Sequence, residues 1–345
     1  MRIAVLVVDD VFDTGFASVL DTFEAANELA GAHGTRYEVT VVSPRSRVRT
    51  HHGFVVPVHP LPARAPDLVI VPALACKQPD TIVAALGRPD VGETIDALRR
   101  WHARGARLAA ACTGTFVLGR AAVLDGGRAT TSWWLGPTFR REFPAVELDE
   151  SAMLVVDRGT LTAGAALAHI DLALAVIRER SPSLASLVAR HLLIDDRPSQ
   201  AAFAAPSHVA HDDALVKRFE AWIRGHLTEP FALGRVARAV GSSERTLQRR
   251  IRAVLGKPPV AFVQDLRLEQ AVHLLRVTQG SVDEIAGAVG YGDGSTLRTL
   301  LRRRLRTGVR ELRRVDVRGR RPQRSPASQA GASFEPREPA AQRGR

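Results

Sequence analysis

Cysteine is nearly missing from this chain: its 345 residues include two, Cys76 and Cys112. Two thiols supply neither a disulfide framework nor a cysteine-rich metal site, so no metal and no other cofactor is expected. A reducing cytoplasm is the natural setting. Long apolar runs are also lacking. A membrane-spanning helix needs about 18 successive apolar residues, and no such stretch occurs, so a membrane partner is not expected. The opening "MRIAVLVVDD" is too short for a secretory signal and runs at once into acids, so it reads as a strand.

Charge is present, but unevenly. The net charge of +12 comes from the last third: residues 211–345 hold 27 Lys and Arg against 14 Asp and Glu. Residues 1–210 are close to neutral, with 21 against 22. A basic excess confined to one region points to a polyanion, most often nucleic acid; the plain alternative is a solvated basic surface. With 45% hydrophobic residues, the chain is long enough for two or three domains, each with its own core.

The first region alternates short apolar runs with amphipathic segments. Strands are expected at 2–8, 37–43 and 67–73, a helix over 15–30, and another over 94–105 that Gly105 closes. Residues 152–164 read as a hairpin and 171–180 as a closing helix. Strands alternating with helices predict a parallel α/β sheet covered on both faces. The expected division is a sheet domain over 1–185, an aperiodic Pro/Ser/Ala-rich linker over 186–213, an all-helical domain over 214–315, and a disordered basic tail over 316–345.

The helical region contains a near-repeat. "VARAVGSSERTLQRRIRAVLG" (236–256) lines up with "IAGAVGYGDGSTLRTLLRRRLR" (285–306). In each copy a short Ala-rich helix ends at Ala-Val-Gly. Gly241 or Gly290 suits the tight turn, and a capping residue follows, Ser243 in the first copy and Asp293 or Ser295 in the second. An Arg-dense helix completes each copy. This is a helix-turn-helix pattern, twice. The segment 259–276 between the copies, as one helix, would span about 27 Å, enough to hold two reading heads roughly one DNA turn apart. With Leu247, Ile251, Leu297 and Leu301 inward, the outward residues are Arg245, Thr246, Gln248, Arg249 and Arg252, then Thr296, Arg298, Thr299 and Arg302. Arg can bond a guanine edge bidentately and Gln an adenine edge, while many of the arginines will touch only phosphate. Double-stranded DNA is therefore the expected partner. About 100 residues here resemble the AraC/XylS family of transcription regulators. They depart from it where the family's Gly-x-x-Pro after the second reading helix is replaced by "RTGVREL".

The stretch "LAAACTGTFVLG" has the form of a strand–nucleophile–helix elbow with Cys112 at its tip and Thr113 and Gly114 behind it. With "VLDGGRATTSWW" and "GTLTAGAALAHIDLALAVI", residues 1–185 resemble the ThiJ/PfpI superfamily, relatives of class I glutamine amidotransferases, with a flavodoxin-like fold. That resemblance implies three helpers for an elbow Cys: a His base, a carboxylate from the first β–α region, and a Gly-rich oxyanion loop. Each is altered. Ser132 stands where many members carry His, Ala73 and Leu74 replace glycines, and the first β–α region offers Asp13 rather than Glu. Ser132 cannot serve as a base near neutral pH. His169 is the one candidate replacement, though a His at a helix start needs no catalytic role. His51 and His52 read as surface residues. Asp13, Ala73, Cys112, Thr113, Ser132, Trp133, Trp134 and His169 are therefore taken as a candidate ligand pocket, not an active site.

The whole architecture resembles the GlxA-type branch of the AraC family. It implies a cytoplasmic, nucleoid-associated, bacterial-type regulator that answers to a small nitrogenous metabolite, pairs as a homodimer through residues 1–185, and has RNA polymerase as a candidate partner. Two alternatives stay open: an active cysteine hydrolase or deglycase fused to a DNA-binding domain, and a redox sensor acting through Cys112.

Overall fold

The computed structural model describes residues 1–314 apart from 32–33, 196, 198, 202, 206–207 and 306–307, so the tail expected over 316–345 lies outside the described residues. In chain order the first domain comprises β1 (Arg2–Leu6), α1 (Asp13–Leu29), β2 (Glu38–Val42), the hairpin β3 (Arg47–Arg49) and β4 (Val55–Pro57), and β5 (Leu68–Val71). Then come α2 (Pro79–Leu86), α3 (Pro89–Ala103), β6 (Arg107–Ala111), α4 (Gly114–Arg120), β7 (Arg128–Ala129), α5 (Gly136–Glu142) and β8 (Glu147–Leu148). It closes with β9 (Leu154–Asp157), β10 (Thr160–Ala163), α6 (Ala168–Arg180) and α7 (Pro182–His191).

Six strands form the main sheet in the order β2-β1-β5-β6-β10-β9. All neighbours are parallel except the edge hairpin β9–β10. The central strands read as unbroken apolar runs because both faces are covered. Alternate residues serve opposite cores. Ala4, Leu6, Val69 and Val71 pack with Ile82, Leu98, Trp101 and Phe116 on one side. Ile3, Val5, Leu68 and Ile70 pack with Phe16, Phe23, Leu172 and Val188 on the other. Val188 belongs to α7, which packs on α1 and α6, so the sheet domain runs past residue 185 and takes in the start of the expected linker. The helices expected at 15–30, 94–105 and 171–180 all begin earlier, because Asp13, Pro89 and Ala168 open them. Helix α2 and the β3–β4 hairpin had no clear periodic signal; both are too short to show one.

The second domain holds α8 (Ala214–Gly225), α9 (Leu233–Ala239), α10 (Glu244–Leu255), α11 (Pro259–Val277), α12 (Val282–Ala288), α13 (Gly294–Leu305) and α14 (Val309–Arg314). It has two small cores, and α11 serves both. Phe262, Val263 and Leu266 join α8, α9 and α10, while Leu268, Ala271 and Leu275 join α12 and α13. The buried Arg267 between them donates to Leu227 O at 2.9 Å and Glu229 O at 2.6 Å and lies over the Tyr291 ring. The domains touch: α5 packs on α10, and Arg140 lies against Gly256 at the end of α10. No helix among the described residues is long and apolar enough to cross a membrane.

Candidate functional site

Cys112 sits at the tip of β6 with φ of +57°, the left-handed backbone of a nucleophile elbow. Its N–H is shared between Ala163 O at 3.0 Å and Gly164 O at 2.9 Å, which holds that strained residue against β10. Gly114 starts α4 so close to β5 that a Cβ would collide with the Val71 carbonyl. The sequence pattern therefore produces the elbow.

What surrounds it is closed. Cys112, Thr113, Thr130, Thr131, Ser132 and His169 are all buried. Cys112 Sγ and Ser132 Oγ are hydrogen-bonded at 2.8 Å. The Thr131 hydroxyl donates to Cys112 O at 2.6 Å, and the Thr113 hydroxyl donates to Leu74 O at 2.5 Å.

His169 faces Ala73 rather than the thiol. Its Nδ1 donates to Ala166 O at 2.5 Å, which leaves Nε2 unprotonated to accept the Ala73 N–H at 3.1 Å. A backbone donor of the loop after β5 is thus consumed inside the protein. Burial pushes the imidazole pKa down to about 4, with only the Ala166 bond opposing it, so the ring is neutral. A Cβ on Gly15 would lie 2.6 Å from the ring, so α1 approaches α6 closely here because residue 15 has no side chain.

Asp13 does not join this cluster. Its carboxylate accepts from His52 Nδ1 at 2.8 Å and His52 N–H at 3.2 Å. Partial burial raises its pKa, but the Thr50 and His52 hydrogen bonds outweigh that and hold it below the usual value. The carboxylate of the first β–α region thus turns its Oδ2 to the turn between β3 and β4, while its buried Oδ1 has no hydrogen-bond partner among the described residues. Trp133 and Trp134 are half-buried, edge to face with ring centroids 5.4 Å apart, on the single 3-10 turn that links Ser132 to α5. One residue beside the elbow escaped sequence reading altogether: Gln200, in the aperiodic segment, is buried against Thr130 and Thr131. Its surroundings, "DRPSQAAF", give no sign of this.

The second candidate site is the pair of reading helices. Leu247, Ile251 and Leu255 are buried on α10 at a spacing of four, which turns Arg245, Thr246, Arg249 and Arg252 outward. Gln248 is half-buried. On α13, Leu297 and Leu301 are buried, and Ser295, Thr296, Arg298, Thr299 and Arg302 are exposed. Gly241 at φ +71° and Gly290 at φ +85° make the turns.

Ser243 caps α10 by accepting the Thr246 N–H at 3.2 Å. Asp293, not Ser295, caps α13: it accepts the Thr296 N–H at 2.8 Å and the Ser295 hydroxyl at 2.5 Å. Those bonds, the Ser295 hydroxyl first, pull its pKa down to about 2. Among the described residues Arg245, Arg249, Arg252, Arg298 and Arg302 form no ion pair. Arg250 and Arg304, on other faces, are paired with Asp213 and Asp265.

Comparison with known proteins bears on both sites. Residues 1–179 match the DJ-1/PfpI family, and residues 236–314 match a helix-turn-helix domain. The chain is 25% identical over 295 residues to the HTH-type transcriptional regulator GbdR of Pseudomonas aeruginosa, covering 84% of this chain and 77% of that one. It is 27% identical over 303 residues to the HTH-type transcriptional regulator GlxA of Rhizobium meliloti, covering 84% and 88%. A solved AraC family regulator from Pseudomonas putida superposes with a TM-score of 0.48 at 22% identity, covering 55% of this chain and 98% of that one. The chain belongs to the DJ-1/PfpI family, joined here to an AraC-type helix-turn-helix domain as a DNA-binding transcriptional regulator.

Proposed function

We propose that this regulator reads DNA with α10 and α13 and that its sheet domain is a non-catalytic sensor of a small effector. The observation that carries the reading is the duplicated helix-turn-helix, whose outward arginines are exposed and without ion pairs. Base-reading candidates are Arg245, Gln248, Arg249 and Arg298. Ser243, Thr246, Arg252, Ser295, Thr296, Thr299 and Arg302 supply further base or phosphate contacts. Helix α11, at 19 residues, spans about 28 Å and suits major grooves roughly one turn apart.

The sensor reading rests on the elbow's chemistry. Ser132 holds the thiol but cannot take its proton near neutral pH, and both ring nitrogens of His169 are committed elsewhere. An elbow without a base recognises rather than turns over. Ala73, Thr113, Trp133 and Trp134 frame this region. A homodimer through the sheet domain, contact with RNA polymerase and a cytoplasmic setting complete the proposal.

Selection of duplexes from a random pool with the full chain tests it. Enrichment of sites with two half-sites on one DNA face is expected, and no enrichment over input at moderate salt overturns it. Repeating the selection with candidate metabolites tests the sensor arm.

A further inference from the structure

Arg197, Ser199 and Gln200 of the interdomain segment lie on the sheet domain beside the elbow. Ser199 pairs with Ala152 in an antiparallel bridge, and its hydroxyl donates to Ser151 O at 2.7 Å. Arg197 donates to Leu167 O at 3.1 Å and to the Asp171 carboxylate at 2.5 Å. Next to Ser199, the Gln200 side chain turns inward and is only 2% exposed. Its amide nitrogen donates among Thr131 O at 2.9 Å, Thr130 Oγ1 at 3.2 Å and Ala152 O at 3.2 Å. Its carbonyl accepts the Ala165 N–H at 3.0 Å. A Cβ on Gly164 would lie 2.5 Å from that carbonyl oxygen, so the glycine makes room for it.

These partners flank Cys112 on both sides. Thr131 bonds Cys112 O, and Gly164 O accepts the Cys112 N–H. Further along, Ala210 N–H donates to Trp134 O at 2.9 Å, just before α8 begins. The chain is therefore held at the elbow by Gln200 and again at Trp134 by Ala210, beside the direct contact of α5 with α10.

We propose that Gln200 is a tethered occupant of a carboxamide subsite, and that the effector carries a primary carboxamide which displaces it and frees the linker. This inference rests on the sensor reading above. The subsite offers oxygen acceptors around an NH₂ and one N–H donor to a C=O, all uncharged. A carboxylate there would face the Thr131 and Ala152 carbonyls and lose its hydration without compensation. An ammonium would find no counter-charge and would leave the Ala165 N–H unpaired. The neutral amide alone satisfies every partner.

A tethered side chain competes at an effective concentration of ~mM or above, so a small free amide does not displace it readily from the native chain. Replacing Gln200 by Ala removes a fragment the size of acetamide, which is the probe. In full-length Gln200→Ala, amide exchange at residues 199–201 should rise about ten-fold or more, and the unfolding temperature should fall. Acetamide at about 0.1 M should restore several degrees of that loss, whereas sodium acetate should not, and the native chain should respond to neither. Acetamide without effect, or acetate acting equally well, overturns the proposal.

Should Gln200→Ala not fold, Gln200→Glu keeps the volume. The introduced carboxyl should hold the segment only while protonated, so exchange at residues 199–201, taken relative to the native chain at the same pH, rises with pH through the acid range. Exchange equal to the native chain at every pH overturns the proposal. Failed rescue alongside metabolite-dependent DNA binding removes this inference and leaves the sensor reading standing; rescue without any metabolite effect removes the sensor reading and the displacing effector with it, and leaves only an amide-shaped subsite filled by Gln200.

Discussion

Around Cys112, Thr113, Thr130, Thr131, Ser132, His169 and Gln200 are buried, and their polar atoms bond to one another or to backbone. On α10 and α13, the arginines stand exposed. Both regions are rich in groups that could bind something. The buried set has already spent its hydrogen bonds internally, so a ligand must replace a partner the protein supplies. The exposed set has spent almost none, so DNA needs only to displace water and counterions. Enzyme-like residues at an enzyme-like elbow thus signify less about turnover than their commitments do.

The widest test of this contrast lies beneath the arginines. Leu247 is fully buried under α10, so Leu247→Ala should cost about 2–5 kcal/mol. DNA binding should be lost through unfolding of the helical domain while the sheet domain keeps its own transition; calorimetry of the full chain separates the two. Next comes acid. Because folded His169 titrates at about 4 against an ordinary 6.5, the unfolded chain binds the extra proton across that window. The stability it contributes is complete above pH 6.5 and is lost as pH falls toward 4, roughly 3 kcal/mol in all. Urea unfolding of the sheet domain at stepped pH should show this slope, and His169→Gln should flatten it.

Arg245→Ala and Arg298→Ala should each cost about 1–3 kcal/mol of binding and relax one base position if they read bases. A uniform loss across sequences with a shallower salt slope would make them phosphate contacts; titrations on mutated half-sites decide. Ser243→Ala removes the α10 cap and should cost about 1 kcal/mol of domain stability by thermal melting. Smallest is Cys112→Ala. Amidase, esterase and glyoxal-consuming assays should show no Cys112-dependent turnover, and DNA binding should hold. Clear turnover by the native chain alone would return the elbow to the hydrolases.

Much of this was legible in advance. The strands at the sheet centre, the elbow and both helix-turn-helix units follow from local patterns: apolar runs, a leucine spacing of four, and glycines at two tight turns. The caps were half-legible: Ser243 was unambiguous, but Asp293 and Ser295 both fit until geometry put the Asp293 carboxylate on the Thr296 N–H. The roles of Asp13 and His169 were not readable, because each depends on a partner distant in sequence, His52 and Ala73.

The sequence by itself determined that there are two domains of different charge, that one is a doubly covered α/β sheet with a cysteine elbow, and that the other presents two Arg-dense helices. Periodicity and composition encode such features within a few turns of chain. Only the tertiary structure decided which polar groups remain available. Hydrogen-bond capacity is finite, and whether Asp13, His169, Ser132 and Gln200 still have any to offer depends on what the fold brings within 3 Å of them. A segment that reads as a plain linker supplied a residue buried beside the elbow, because burial of Gln200 is set by the surface it meets and not by its own neighbours in the chain.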